Sequence, residues 1–264
     1  GGGESASQGA GPMHFGIGTS STVAIRVAWP SGLVDILPSV PANTTLTVVE
    51  GSNPPPVQAQ NISTRLQVLT GDNVGIGGFI VTGTTPKKVL IRGIGPSLAA
   101  AGITDFLADP VLELHKPAGV VLVNNNWKDT QQTAISATGL APTNDFEAAI
   151  VSTLDPGSYT VILSGQNGGS GIGLIEAYDL DAGVTSQLAN VSTRGFVGTA
   201  ENVMIGGVII GPNGAPNATV AVRALGPSLT SAGVAGAMQD PTLELRDADG
   251  VLTAFNTNWR ADQS

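Results

Sequence analysis

Residues 61 to 132 are written a second time over 190 to 264, and a chain that repeats itself at this spacing has few architectures open to it. Asn61-Ile62-Ser63-Thr64-Arg65 returns as Asn190-Val191-Ser192-Thr193-Arg194, Ile76-Gly77-Gly78 as Ile205-Gly206-Gly207, and Gly95-Pro96-Ser97-Leu98 as Gly226-Pro227-Ser228-Leu229. Asp109-Pro110 and Leu112-Glu113-Leu114 return as Asp240-Pro241 and Leu243-Glu244-Leu245, and Asn126-Trp127 as Asn258-Trp259. With Asn190 laid on Asn61, 12 of the 21 residues from Asn61 to Val81 are identical. The offset is 129 at the first motif, far longer than the period of a solenoid or a propeller blade, so each copy should be a domain with its own core. An array of this kind multiplies surface, length or valency.

Within the first copy, strands are expected at 62–68, 74–82, 87–92, 110–115, 119–124, 147–153, 157–164 and 171–178. Gly, Pro or Asn stands in most of the gaps. Short helices are expected after Pro96-Ser97 and across 129–137, with Asp129 as the cap. Eight strands with helices confined to connections imply an all-β chain of tandem β-sandwich units, jelly-roll or Greek-key, with a small partial β-domain in front. Leu154-Asp155-Pro156-Gly157-Ser158-Tyr159 has the form of a tyrosine corner. Ahead of this, Thr22–Trp29 and Thr44–Glu50 are rich in β-formers, Pro30-Ser31-Gly32 supplies a turn, and 33–37 allows a further short strand.

The expected organisation is therefore a partial β segment at 1–52, a Pro-rich linker at 53–60, a complete repeat at 61–188 and a truncated repeat at 189–264. The second copy has no counterpart of residues 133–188. Residues 189–264 should accordingly expose apolar sheet surface and an open edge, as expected of a window cut from a longer chain.

Charge and composition remove several function classes. Net charge is −9 and only 12% of residues are charged, which removes the electrostatic basis for binding nucleic acid. Zero cysteines exclude a disulfide scaffold and thiolate chemistry. The apolar stretches are too short for a transmembrane helix, so no membrane insertion is expected. A hydrolytic triad needs a histidine, and the chain has two. His14 is expected to pack within a His-Phe-Gly element, and His115 ends a strand and is replaced by Arg246 in the second copy. Gly95-Pro96-Ser97-Leu98-Ala99 lacks the second glycine of a nucleophile elbow. The expectation is a chain that is not an enzyme, with no catalytic residue and no cofactor.

Two binding constellations remain. Asp109, Asn124, Asn126 and Asp129 are hard oxygen donors in loops, suited to calcium, and Asp240, Asn256 and Asn258 repeat the first three. Trp127 and Trp259 each follow an amide-rich run, where an aromatic ring can stack on a sugar. Arg92 and Glu113 recur as Arg223 and Glu244, and a salt bridge between their strands is expected.

Residues 1–50 resemble the C-terminal part of the ASPIC/UnbV domain. The likeness rests on Gly2-Gly3, Ser7-Gln8, Met13-His14-Phe15-Gly16-Ile17-Gly18, Val27-Ala28-Trp29-Pro30-Ser31-Gly32 and Pro41-Ala42-Asn43-Thr44-Thr45-Leu46-Thr47-Val48. Proteins of that family are of the FG-GAP/VCBS type, similar to cartilage acidic protein, and the resemblance implies an extracellular or cell-surface, non-enzymatic setting. From Asn61 onward the chain resembles tandem repeats of large secreted bacterial proteins. The part from Asp109 to Leu174 is also similar to pre-peptidase C-terminal domains, which are accessory sandwiches of exported enzymes. The expected function is a structural or adhesive repeat module of a larger surface or secreted protein. Its expected partners are neighbouring domains of the same polypeptide, surface glycans or other surface proteins. The alternatives are a carbohydrate-binding or substrate-targeting module of a secreted hydrolase, and a subunit of an extracellular filament.

Overall fold

Alternation of apolar and polar residues, broken by glycine and asparagine at the turns, produces the strands. A computed structural model describes residues 13–53, 58–181, 184–211 and 219–262. The chain divides into one unit through Asn217 and a smaller one from Ala218.

The first unit opens with a hairpin of β1 (Thr22–Ala28) and β2 (Val34–Pro41). Then follow β3 (Gln58–Val68), β4 (Gly75–Thr82), β5 (Lys87–Ile94), β6 (Pro110–His115), β7 (Val121–Asn124), β8 (Ala148–Leu154), β9 (Gly157–Gly165), β10 (Gly171–Asp179), β11 (Gln187–Arg194) and β12 (Ile205–Gly211). The helix α1 (Gln132–Ser136) is a connection. Nine strands form one nearly closed antiparallel, barrel-like sheet in the order β7-β6-β9-β4-β11-β3-β10-β5-β8, and β12 adds to β3. The chain is all-β, as its patterning implies, and none of its described helices is long.

The core is drawn from the inward positions of this sheet. Leu66, Val89, Ile91, Leu112, Leu114, Val161 and Leu163 are all essentially inaccessible. Each such side chain contributes about 1.5–3 kcal/mol by leaving water. A second cluster, with Leu90, Trp127, Ile135, Ala149 and Val151, lies where α1 covers the other face of β5 and β8. The tyrosine corner forms as its turn sequence implies. The Tyr159 hydroxyl donates to the Asp155 carbonyl at 2.6 Å, and its ring stacks on Phe79. Burial first, and the Asp155 charge second, push the phenol's pKa up.

The ends of the sheet, β7 and β8, are not joined by a ladder. A side chain closes the seam: Asn124 Oδ1 accepts the Ala149 N–H at 2.9 Å, while its Nδ2 donates to the Asn126 carbonyl and to Thr130. Gln131 finishes the neighbouring stretch of β8. Its Oε1 accepts from Val151 N and its Nε2 donates to Val151 O, each at 2.9 Å, as a strand would.

Three local expectations are corrected, and a fourth lies outside the described residues. Residues 44–49 form no strand and pair with neither edge of the two-stranded β1–β2 hairpin. Helix α1 begins after Gln131, and Asp129 does not cap it but accepts a hydrogen bond from Asn126. The prolines at 54–56 lie outside the described residues. The division drawn at residue 188 falls inside the sheet: β11 and β12 belong by sequence to the second copy, yet they pair with β4 and β3 of the first.

In the smaller unit, β13 (Leu243–Arg246) and β14 (Leu252–Asn256) form a hairpin, followed by the one-turn α2 (Trp259–Asp262). Leu225, Leu245, Leu252, Phe255 and Trp259 are exposed there, and Val191, Ile205, Val208 and Ile209 are exposed on β11 and β12. The apolar surface expected of the second copy is present.

Candidate functional site

The densest polar cluster is built where β5 and β10 run side by side. Arg92 and Glu176 are direct cross-strand partners, so their side chains emerge on one face. Arg92 donates to Glu176 Oε2 through Nε at 2.8 Å and also through Nη2, to the Leu140 carbonyl at 2.8 Å, and to the Tyr178 hydroxyl at 2.8 Å. Its guanidinium also lies 4.9 Å from the Tyr178 ring centre. The Tyr178 hydroxyl donates to Glu176 Oε1, and its pKa is pushed up to about 12 by burial and then by the Glu176 charge, against the opposing pull of Arg92. A phenol held there stays protonated at neutral pH and serves as a donor, not a base. The pairing expected between Arg92 and Glu113 does not form. Glu113 lies on β6, which is not a neighbour of β5, and it bonds His115 at 2.9 Å.

Two sites of buried charge escaped the reading of the sequence. Lys87 Nζ reaches Asp179 Oδ2 at 2.7 Å and the Asp181 carbonyl at 2.8 Å, with both charged side chains almost wholly withdrawn from water. Glu147, fully buried, accepts from Gly95 N at 3.1 Å, Ser97 N at 2.8 Å and the Ser97 hydroxyl at 2.7 Å. It thereby clasps the turn that opens the short 3-10 helix Pro96–Ala101. The only available signals were a lysine pair opening a strand and an acid beside an apolar run. Neither names its partner.

The oxygen donors proposed for calcium are only partly brought together. Asn124 has both side-chain atoms engaged in closing the barrel seam. Asp129 bonds Asn126 Nδ2 at 3.0 Å. The oxygens Asp109 Oδ1 and Asn126 Oδ1, together with Asn125 Oδ1, are buried without a hydrogen-bond donor. Among the described residues, no group of three or more His, Asp or Glu side chains is placed to hold a metal.

The two tryptophans part company. Trp127 is 7% exposed, packs in the second core cluster, and donates Nε1 to the Asn144 carbonyl at 3.2 Å. Trp259 is 68% exposed, with the Arg260 guanidinium 5.1 Å from its ring centre. His14, expected to pack, is exposed, as are Met13 and Phe15 beside it.

In the N-terminal hairpin a carboxylate sits within the apolar strand Val34-Asp35-Ile36-Leu37. Asp35 accepts from Trp29 Nε1 at 2.6 Å, from Gly51 N at 2.8 Å and from Asn53 N, tying the strand, the turn and the following segment together. Burial raises the carboxyl's pKa, but the bonds from Asn53, Gly51 and Trp29 outweigh it and hold the group below the ordinary carboxylate value. Its stabilising contribution is therefore complete above the unfolded value of about 4 and is lost as pH falls through the depressed folded value. The Trp29 indole N–H resonance should hold its position from neutral pH to about pH 4 and shift below it. In Asp35→Asn that acid transition should be absent; a variant that keeps it would place the titration elsewhere.

No curated protein and no solved structure is significantly similar to the chain. Residues 1–55, which hold the whole of this hairpin and its Asp35 clasp, match the family described as ASPIC and UnbV.

Proposed function

We propose that the chain is a non-catalytic structural and adhesive repeat module of a larger secreted or cell-surface bacterial protein. One observation carries this reading: strands of the second copy complete the sheet of the first, so the chemistry of this fold is directed at joining repeats. The buried polar side chains agree with it. Arg92, Glu176, Lys87, Asp179, Glu147 and Asn124 are engaged with one another or with backbone. The ASPIC and UnbV match supports the extracellular setting.

A glycan array probed with the full chain tests the reading against a carbohydrate-binding module. The structural reading expects no saturable signal. Saturable binding that Trp259→Ala abolishes, with the melting temperature unchanged, would replace it with the carbohydrate reading, since Trp259 is the tryptophan whose ring is open to a ligand.

A further inference from the structure

The pairing of the two copies is reciprocal. In one ladder Arg65, Thr64, Ser63 and Ile62 of β3 stand opposite Ile205, Gly206, Gly207 and Val208 of β12. In the other, Arg194, Thr193, Ser192 and Val191 of β11 stand opposite Ile76, Gly77, Gly78 and Phe79 of β4. The second ladder is the first with each residue exchanged for its copy, and beyond one bulge the match resumes. Ala59 and Gln58 face Ile210 and Gly211, while Leu188 and Gln187 face Val81 and Thr82. The bulge differs by one position, at Gln60 in β3 and at Asn190 in β11.

The connecting turns are alike too. Leu69 N bonds Asn73 O at 3.0 Å, and Gly198 N bonds Asn202 O at 2.9 Å. Along the middle, residues meet their own copies: Ala59 pairs with Leu188, the Thr64 and Thr193 hydroxyls are 2.8 Å apart, and Gln67 bridges Phe196. A residue meets its copy only at a two-fold axis. The interface is isologous, and such an interface is closed once two surfaces have met.

We propose that the arch formed by β3, its turn and β4 is a self-complementary association surface whose partner is another copy of the same arch, so that these repeats join strictly in twos. In this chain the arch of β11 and β12 fills that role in cis. An arch without a cis partner takes one from a second molecule of this chain, and association stops at the dimer. This goes beyond the adhesive reading and does not rest on it.

The test blocks the second arch in the full chain. One variant, Ser192→Pro with Val208→Pro, puts proline into both of its strands, where ladder donors are lost. Another replaces residues 195–204 by Asn-Gly, a two-residue hairpin turn too short to span from one ladder to the other. Light scattering should give 26.5 kDa for the unaltered chain and twice the mass of its own chain for each variant. The chain has no cysteine, so Thr64→Cys adds a single thiol at the axis. In the blocked variants carrying Thr64→Cys, oxidised glutathione should take up the two electrons and protons as the thiols of two molecules join in an intermolecular disulfide across that axis. In the otherwise unaltered chain, Thr64→Cys with Thr193→Cys should close within one molecule. A folded monomer from either variant, or a mass that grows past two, would overturn the proposal. So would failure of both variants to fold, because an open arch would then not have found its second copy.

Discussion

Replacing Gly95 by alanine should destabilise the first unit by about 3 kcal/mol or more, at the upper end of what one added methyl does in a packed protein. A Cβ at this position would lie 1.9 Å from the Leu107 carbonyl oxygen. The obstacle is backbone, and that backbone is itself fixed, since Leu107 N bonds the Ile172 carbonyl at 2.8 Å. Gly95 also presents its N–H to the buried Glu147, so any shift that relieves the clash loosens that clasp. The same approach recurs at Gly226, where a Cβ would meet the Met238 oxygen at 2.0 Å, which explains why Gly-Pro-Ser-Leu is written twice. The control is Gly102→Ala, a position with positive φ and open space around it, where the cost should be about 1 kcal/mol. Thermal melting followed by circular dichroism should place Gly95→Ala roughly 10 °C below the unaltered chain. Equal losses at the two glycines would contradict the close-approach argument.

Removing one partner of the Lys87–Asp179 pair should cost about 3–5 kcal/mol, and removing both should cost less. Lys87→Met leaves the Asp179 carboxylate and the Asp181 carbonyl buried without their donor. Asp179→Asn leaves an ammonium facing a neutral amide, but keeps an oxygen for the Asp181 N–H, which Oδ1 now accepts at 2.8 Å. The double variant Lys87→Met/Asp179→Asn removes both charges and should recover part of either loss in urea denaturation. If the double variant is as unstable as the sum of the two single ones, the pair is not a coupled unit.

How much of this was legible in the chain follows a physical division. Strand positions were readable because each strand is half-buried and its alternation is local; the eight strands expected in the first copy all form within a few residues of their expected ends. Partners were not, because they depend on which strands become neighbours. Arg92 lies opposite Glu176, 84 residues away, and nothing near Arg92 distinguishes that glutamate from Glu113. Trp127 follows an amide-rich run, which suits a ligand platform, yet its ring goes inward because α1 and β8 supply an apolar wall. Asn124 looked like a metal donor because side-chain amides serve cations and unpaired backbone alike; here the backbone is Ala149.

The largest miss concerns the boundary between copies. A repeat in sequence begins wherever its motif begins, but a sheet ends only where its edge is satisfied. Ile62 and Phe79 are 4% and 5% exposed, whereas their copies Val191 and Val208 are 41% and 49% exposed. The first pair lies inside the core of the sheet, while the second stands open to solvent on β11 and β12. At the boundary the two copies therefore share one sheet.

The register of β3 and β12 also decides how the module would respond to tension. The chain enters at Gln58 and leaves at Gly211, and these two residues are directly paired on adjacent antiparallel strands. Entry and exit thus lie side by side, so the module adds bulk to the polypeptide and almost no reach. A pull on the two ends would load the β3–β12 ladder from that end, breaking its hydrogen bonds in succession as a zipper opens, not all together as in shear. Yielding would begin at Gln58 and Gly211 and run toward the axis. The joint between repeats is the first part of this fold that force would find.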